Sequence, residues 1–196
     1  MTIKCKETKI KVSFFFALTI ALIGISDKTN TTLLCLLAAS LHELGHLIFL
    51  LACKEKPTEI IFTPFGIRIE RRNNNSLSFK KEALSAFAGP LVNLILFIFF
   101  RGTYFAQINL TIAVLNLLPC EPLDGSKILE NILKIMLPFI KAEKISLIIS
   151  CITVFPVAVL GFIILFQSKY NFSLLFVSIY LIFFIALKKK NIPSAN

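Results

Sequence analysis

Apolar residues occur along the chain in six long runs, and short polar, mostly basic segments separate them. The runs cover residues 12–25, 31–53, 83–100, 105–118, 145–166 and 172–187. A helix needs roughly 20 apolar residues to cross the hydrocarbon core of a bilayer. The pattern therefore predicts an all-α polytopic membrane protein with about six transmembrane helices. The runs at 12–25 and 105–118 are short, so each needs flanking residues to span the bilayer fully.

The composition supports a single membrane-embedded unit. Hydrophobic residues make up 56% of the 196 residues, and the mean hydropathy is +0.81, whereas a soluble domain holds roughly 45–50% apolar residues. We expect one domain over residues 1–196, with its motif-bearing core at 31–136. Asp27 and Lys28 closely follow the first run, so we interpret it as a retained helix rather than a signal peptide.

The basic residues predict the orientation in the membrane. Eighteen of the 21 lysines and arginines fall before the first run, after the last run, or in the second and fourth loops between runs. Lys28, Arg101 and Lys169 fall on the other side. The positive-inside rule then predicts cytoplasmic N- and C-termini in a multi-pass protein of a bacterial cell membrane. The net charge of +10 is thereby explained by topology and contact with the lipid bilayer, and no nucleic-acid partner is expected.

The loop 54–82 departs from the helical pattern. Residues 59–62 and 67–70 are rich in isoleucine and flank the turn Pro64-Phe65-Gly66. This predicts a small β-hairpin, or a three-strand piece if residues 76–79 add a strand. A strand edge of this kind could pair with an extended peptide substrate, although a purely structural hairpin is an equal alternative.

The second run contains the only two histidines of the chain, His42 and His46, and Glu43 directly follows the first. A spacing of four residues places both imidazoles on one face of a helix, where they can bind one Zn²⁺. Glu43 is the only Asp, Glu, Lys or Arg inside the six runs. A charge at membrane depth is costly, so it marks a functional site rather than a stray carboxylate beside structural histidines. From its position Glu43 can reach a water on the metal and act as the catalytic base.

A catalytic zinc needs at least one further protein ligand. Of the two aspartates, Asp27 falls on the opposite membrane face in the predicted topology, whereas Asp124 follows the fourth run. Pro119 and Pro122 cannot continue a helix, so the chain must unwind before Asp124. Glu121 is the rival ligand, because either carboxylate type binds zinc. Asp124 could also be the N-cap of a following amphipathic helix at 126–136.

These segments resemble the site-2 protease family of intramembrane metalloproteases. The matching elements are His42-Glu43-Leu44-Gly45-His46, Ala88-Gly89-Pro90-Leu91-Val92-Asn93, and Asn116 to Gly125. The small size and Thr63-Pro64-Phe65-Gly66 resemble the sporulation-type branch. The resemblance implies one Zn²⁺ per chain held by His42, His46 and Asp124, with Glu43 catalytic and Asn116 binding substrate backbone. Ser126 stands where many members have a second glycine after Asp-Gly.

The resemblance also implies the reaction and the partners. It implies regulated intramembrane proteolysis of a membrane-anchored protein, such as a sigma-factor precursor or an anti-sigma factor, within or near the cytoplasmic leaflet. A regulatory partner in the membrane is a further candidate. Two alternatives remain open, a zinc-binding membrane transporter and a catalytically inactive membrane scaffold. The polar groups cluster near one face of the membrane instead of lining a path across it, and zinc binding alone does not need Glu43.

Overall fold

The structure is a computed structural model of the full chain. It describes residues 2–5, 8–12, 31–55, 57–63, 66–71, 77–168 and 172–191. The predicted first apolar run at 12–25 lies outside the described residues, apart from Val12. Contacts divide the chain into two compact units, one of residues 1–76 and 88–113, the other of residues 77–87 and 114–196. The expectation of a single domain stays a prediction.

Helices form at the other five apolar runs. Helix α1 covers Thr31–Ala52, α2 covers Phe79–Phe99, α3 covers Tyr104–Leu117, α5 covers Phe139–Ser168 and α6 covers Ser173–Asn191. An amphipathic helix, α4, lies between α3 and α5 at Asp124–Met136. Helices α1, α2 and α5 are long and apolar enough to cross a membrane, whereas α3 is a shorter apolar helix of 14 residues. The total of six spans therefore stays a prediction.

The predicted β-hairpin is present and belongs to a larger sheet. Strand β3, Pro57–Thr63, pairs antiparallel with β4, Gly66–Arg71, with Ile61 opposite Arg68. Two strands from the start of the chain, β1 at Thr2–Cys5 and β2 at Thr8–Val12, complete a four-stranded sheet of order β1-β2-β3-β4. The third strand suggested for residues 76–79 is not formed at the described residues 77–79, because Phe79 already begins α2. Residue 76 lies outside the described residues.

Strand β2 runs parallel to β3, with Lys9 opposite Glu59 and Ile10 opposite Ile60. A parallel pair needs a long crossover connection, and here the chain between the two strands includes α1. The ammonium of Lys11 lies 2.6 Å from the carboxylate of Glu59, so an ion pair supports the join between the strands. The sheet and the helix that carries both histidines thus belong to the same unit.

The helical break predicted from Pro119 and Pro122 is confirmed. Helix α3 ends at Leu117, and α4 begins only at Asp124. The N-cap of α4 is Leu123, without a side-chain capping bond. The interpretation of Asp124 as the N-cap of a helix at 126–136 is therefore wrong. Asp124 is the first helical residue, where its negative charge still faces the positive end of the helix dipole.

Candidate metal centre

The two histidines on α1 are brought together at their Nε2 atoms. These nitrogens lie 3.2 Å apart, and the rings meet edge to face with an angle of 84° between their planes. Two nitrogens that each lie about 2.0–2.1 Å from one tetrahedral ion are roughly 3.3–3.4 Å apart. The spacing of the pair thus matches two ligands of a single zinc ion. His42 is buried, with 4% of its surface exposed, and His46 is half-buried.

A buried asparagine on α2 sets the proton position on His42. Asn93 Oδ1 lies 2.6 Å from His42 Nδ1. The amide nitrogen of Asn93 donates to Ala38 O at 3.3 Å and to Asn109 Oδ1 at 2.7 Å. Because both of these partners are acceptors, the amide orientation is fixed, and its oxygen must face His42. His42 therefore donates from Nδ1 and keeps the lone pair of Nε2 for a metal, as metal-binding histidines commonly do.

The chain of hydrogen bonds ends on α3. Asn109 donates from its amide nitrogen to Phe105 O at 2.8 Å. Asn93 and Asn109 are both fully buried. Unpaired amides in an apolar interior are costly, and here each is satisfied by a defined partner. The network therefore holds the ring of His42 in one orientation.

Gly89 leaves the space in front of the two Nε2 atoms open. A Cβ atom built at Gly89 would lie 2.4 Å from His46 Nε2 and 2.8 Å from His42 Nε2. Real Cβ atoms essentially never approach other heavy atoms this closely. The absence of a side chain on α2 is thus a condition for anything to bind between the histidines.

A second glycine explains how α2 comes so close to α1. A Cβ atom at Gly45 would lie 2.7 Å from Ala88 O and 2.8 Å from Val92 Cγ2. Small residues allow helix backbones to approach each other closely in membranes. Gly45 and Gly89 together therefore bring α2 and its Asn93 against the metal-binding face of α1.

Glu43 lies beside the pair on α1 and is half-buried. It is next to His42 in the chain but does not share the face on which His42 and His46 stack, since one residue turns the helix by about 100°. This arrangement suits a carboxylate that acts near a metal without being its ligand.

The second unit contains Asp124 and Asn116. Asp124 is buried, with 5% of its surface exposed, and its Oδ1 accepts a hydrogen bond from Lys127 Nζ at 2.9 Å. Asn116 is half-buried near the end of α3. A Cβ atom at Gly125 would lie 2.3 Å from Leu117 O and 2.4 Å from Leu118 O. Glycine next to Asp124 therefore lets the first turn of α4 lie directly against the end of α3.

Glu121, the rival ligand, has a different partner. Its carboxylate accepts a hydrogen bond from Lys188 Nζ on α6, within the same unit. The side chain of Glu121 is 15% exposed and that of Lys188 is 22% exposed, so the ion pair is largely shielded from solvent. Asp124 is paired as well, but with Lys127, whose side chain is 57% exposed. Its ion pair is the less shielded of the two, so Asp124 is the carboxylate that could more readily exchange its partner for a metal.

Known proteins match parts of this chain in sequence and match it in fold. The sequence model of Peptidase family M50 matches residues 99–160, a stretch that includes Asn116 and Asp124. Stage IV sporulation protein FB of Bacillus subtilis (strain 168) is 33% identical over 141 residues, which cover 65% of this chain and 49% of that protein. The chain thus spans about half the length of that relative. Over these residues the chain is similar to Peptidase family M50 and to this sporulation protein.

A solved structure is similar to this chain at the level of fold. The Site-2 Protease from Methanocaldococcus jannaschii matches with a TM-score of 0.61 and 24% identity, over 100% of this chain and 99% of that one. At this identity the likeness shows a shared fold alone. Three of the described helices are long and apolar enough to cross a membrane, as expected of an integral membrane protein.

Sequence reasoning missed part of this site. The sequence predicted Asn93 and Gly89 only as parts of a motif that resembles the site-2 protease family, and it did not predict a role for Asn109. A signal was present, because Asn93 and Asn109 are polar residues inside apolar runs. Asn93, however, bonds to His42, which is 51 residues away along the chain, and to Asn109, which is 16 residues away, so spacing could not reveal these contacts.

Proposed function

We propose that this chain is an intramembrane zinc metallopeptidase. Its substrates are membrane-anchored proteins, whose peptide bonds it hydrolyses within or near the cytoplasmic leaflet. The observation that carries the proposal is the pair of Nε2 atoms 3.2 Å apart, beneath a glycine, with the other nitrogen of His42 bonded to a buried amide oxygen. A pair of merely structural histidines needs neither the open space nor the fixed tautomer.

We assign one Zn²⁺ per chain to His42, His46 and Asp124, residues of the types that bind zinc. Two imidazoles and one carboxylate form a donor set used by catalytic zinc sites, which keep a further position open. Asp124 is favoured over Glu121 because its partner Lys127 is exposed, whereas Lys188, the partner of Glu121, is shielded and also bonds to Glu130. Asp124 is also the first residue of a helix, so its backbone position is well defined.

Zinc in such a site would supply a Lewis acid that lowers the pKa of a water molecule to about 7. Glu43 accepts a proton from the water that attacks the scissile carbonyl carbon. It then delivers that proton to the amide nitrogen as the C–N bond breaks. The water oxygen is retained in the new carboxylate. In this scheme His42, His46 and Asp124 position the metal, and Asn93 keeps His42 in the tautomer that can bind it.

Two further elements are assigned to substrate binding. Asn116 is proposed to hold the substrate backbone, since its amide can both donate and accept hydrogen bonds. Strand β4 lies at one edge of the described sheet, where an extended peptide could add as a further strand. An extended substrate exposes its carbonyl groups, whereas a helical one keeps them hydrogen-bonded.

The proposed setting is a bacterial cell membrane with both termini in the cytoplasm. The substrate class includes sigma-factor precursors and anti-sigma factors, and a membrane protein is the expected kind of regulator. Nucleic acid is not a proposed partner, because the distribution of basic residues is accounted for by the membrane topology.

The test is cleavage of a single-pass membrane substrate by purified protein in detergent, comparing the wild-type chain with Glu43→Gln. Glutamine has nearly the same shape but cannot accept a proton. We expect the variant to fold and retain about one zinc, yet to lose cleavage by roughly 10²–10⁴-fold or more. Zinc content is measured on the same samples.

The alternatives give different results in this experiment. A zinc transporter would show no cleavage with either protein, and a scaffold would bind zinc without cleavage in either form. Full zinc content and full cleavage in Glu43→Gln would refute the proposed role of Glu43. Asp124→Asn should lose most of the zinc, and retention of wild-type zinc affinity would refute its assignment as a ligand.

A further inference from the structure

One ammonium group, that of Lys188 near the end of α6, bonds to carboxylates on both sides of Asp124 in the chain. It donates to Glu121, three residues before Asp124, and to Glu130, six residues after it. The side chains of the two glutamates are 15% and 14% exposed. Lys188 thus connects the segment before α4 to the body of α4 at the place where the proposed zinc ligand lies.

The two ion pairs differ in what else supports them. Glu130 also accepts a hydrogen bond from Lys134 at 2.5 Å, and Lys134 lies 3.5 Å from Glu143 on α5. Among the described residues, Lys188 is the cation that pairs with Glu121. Removing Lys188 therefore leaves Glu130 with a counter-charge but deprives Glu121 of one.

Residues 118–123, hereafter the ligand loop, are held from a second direction by α5. Ser150 Oγ accepts a hydrogen bond from the backbone N–H of Glu121 at 3.3 Å. Its hydroxyl proton is shared between Pro119 O at 3.3 Å and Ser146 O at 2.9 Å. Ser150 is fully buried, so this contact fixes the backbone of the loop rather than its exposed surface.

Apolar contacts complete the attachment. Cys120 is fully buried in a cluster with Val154 of α5 and with Leu181 and Ile185 of α6. Leu118 and Leu123, at the two ends of the ligand loop, pack against this cluster. Leu118, Cys120 and Leu123 therefore attach the loop to the apolar cluster with α5 and α6, and Lys188 supplies the charged contact.

We propose that Lys188 is a positioning residue, which holds the ligand loop through Glu121 and α4 through Glu130 and thereby places the carboxylate of Asp124. The inference rests on the proposed metallopeptidase function, because it gives α6 a role in assembling the zinc site. Lys188 acts through Glu121 and Glu130, whereas Lys127 bonds to Asp124 itself. The roughly 10–100-fold contribution of direct outer-shell partners to metal affinity or activity is therefore the upper bound for Lys188.

The test compares Lys188→Met with Lys189→Met and Lys188→Arg. Lys189 is the neighbouring residue and is exposed, so its substitution removes the same charge from the same helix end. We expect Lys188→Met to lower zinc affinity and kcat, by at most roughly 10–100-fold. Lys189→Met should match the wild type, and Lys188→Arg should restore most of the activity because it keeps a donor and a positive charge.

A double substitution separates positioning from simple loss of stability. Removing one partner of a shielded ion pair leaves an uncompensated charge, whereas removing both does not. Lys188→Met with Glu121→Gln should therefore be more stable to heat than Lys188→Met, while its zinc affinity and kcat stay low because the contact that positions the ligand loop is still missing. Recovery of zinc affinity and kcat together with stability would contradict a positioning role. Thermal unfolding of all variants is followed in the same detergent.

The Co²⁺-loaded protein gives a readout that stability alone would not change. Co²⁺ has visible d–d bands that depend on ligand geometry, so Lys188→Met should alter these bands in protein that is still folded. An unchanged spectrum, zinc affinity and kcat in Lys188→Met would overturn the inference while leaving the metallopeptidase proposal intact. A wild-type chain that binds neither Zn²⁺ nor Co²⁺ would overturn both.

Discussion

Single buried polar residues decide what the centre on α1 can do. His42, Asn93 and Asn109 form one hydrogen-bonded series that ends on the carbonyl of Phe105. Each amide has both donor and acceptor groups, so a single arrangement satisfies the whole series. The orientation of His42 is therefore determined before any metal arrives, which is how preorganised metal sites gain affinity.

We predict that tight zinc binding requires Asn93, because Asn93 holds the proposed ligand His42 by a hydrogen bond. Asn93→Leu preserves much of the volume but removes the acceptor for His42 Nδ1 and leaves Asn109 Oδ1 without its donor. We expect zinc affinity to fall by roughly 10–100-fold. The measurement is zinc retention during dialysis against graded chelator concentrations. Gln107→Leu, at an exposed position of α3, is the matched control, and equal retention in the two variants would contradict this role.

Gly89→Ala tests the open space in front of the histidines. The new Cβ atom would meet His46 Nε2 at 2.4 Å, so either a ring must turn away or α2 must shift. Alanine has the higher helix propensity, by about 1 kcal/mol, so the helix itself gains from the change. We expect loss of zinc binding and of cleavage in a protein that still folds.

Leu91→Ala is the control for this substitution, because Leu91 lies on the same helix with 42% of its surface exposed. It should keep its zinc. Normal zinc content in Gly89→Ala would show that the site does not lie between the two Nε2 atoms, and the ligand assignment would have to change.

At the scale of elements, the sequence predicted those features that depend on local chemistry. Pro119 and Pro122 predicted the break between α3 and α4, and Pro64-Phe65-Gly66 with its flanking isoleucines predicted the β3–β4 hairpin. The strands at Thr2–Cys5 and Thr8–Val12 were missed. Ile3, Cys5, Ile10 and Val12 do alternate with polar residues. Thr2–Cys5 pairs with Thr8–Val12, but the other partner of Thr8–Val12 begins 45 residues after Val12, at Pro57. The lysines of the two segments were interpreted only as a topology signal.

The start of α4 was misplaced for a related reason. An aspartate before an apolar helix is a common N-cap, and local propensity could not show that Leu123 takes that position instead. Tertiary contacts decide the boundary, because Gly125 packs on the last carbonyls of α3 and Leu123 packs against the cluster formed with α5 and α6. The cluster of charges around Lys188 could not be predicted from the sequence either, since Glu121 and Lys188 are 67 residues apart along the chain.

The charged cluster on α4 predicts a dependence of stability on pH. Burial disfavours the ionised form of Glu130, but hydrogen bonds and charges from Lys134 and Lys188 outweigh it, so the pKa of Glu130 is lowered from about 4.5. A lowered pKa means that the carboxylate favours folding. This contribution is complete above about pH 4.5 and is lost as pH falls through the folded-state pKa.

Thermal unfolding in detergent between pH 7 and pH 3 measures this effect. The wild-type chain should lose stability below about pH 4.5 more steeply than Glu130→Gln, which has no proton to bind at this position. At pH 7 Glu130→Gln should be the less stable of the two. Parallel pH profiles for the two proteins would exclude Glu130 as a source of acid sensitivity.

At the scale of the whole molecule, five of the six apolar runs predicted from hydropathy form helices. The remaining run, at 12–25, lies outside the described residues apart from Val12. Length and composition qualify three of the helices as membrane spans. Hydropathy could not decide the others, because α3 has only 14 residues and α6 ends in Lys188, Lys189 and Lys190. The fold shared with a site-2 protease does not fix how many times the chain crosses a membrane.

The distribution of basic residues nevertheless makes a definite prediction about orientation. Arg101 lies exposed between α2 and α3, and Lys189 lies exposed near the end of α6. Lysines and arginines are retained on the cytoplasmic side during insertion, and the large majority of them share the side of Lys189. We expect Arg101→Cys to react with a membrane-impermeant maleimide in intact cells, and Lys189→Cys to react only after permeabilisation. The wild-type chain, with its native cysteines, gives the background labelling.

Because the proposed site is expected to open towards the cytoplasm, the opposite labelling pattern would place Asp124 and the ligand loop on the outer side of the membrane. A protease so oriented could not cleave its substrates near the cytoplasmic leaflet, so the experiment tests the location of cleavage together with the topology.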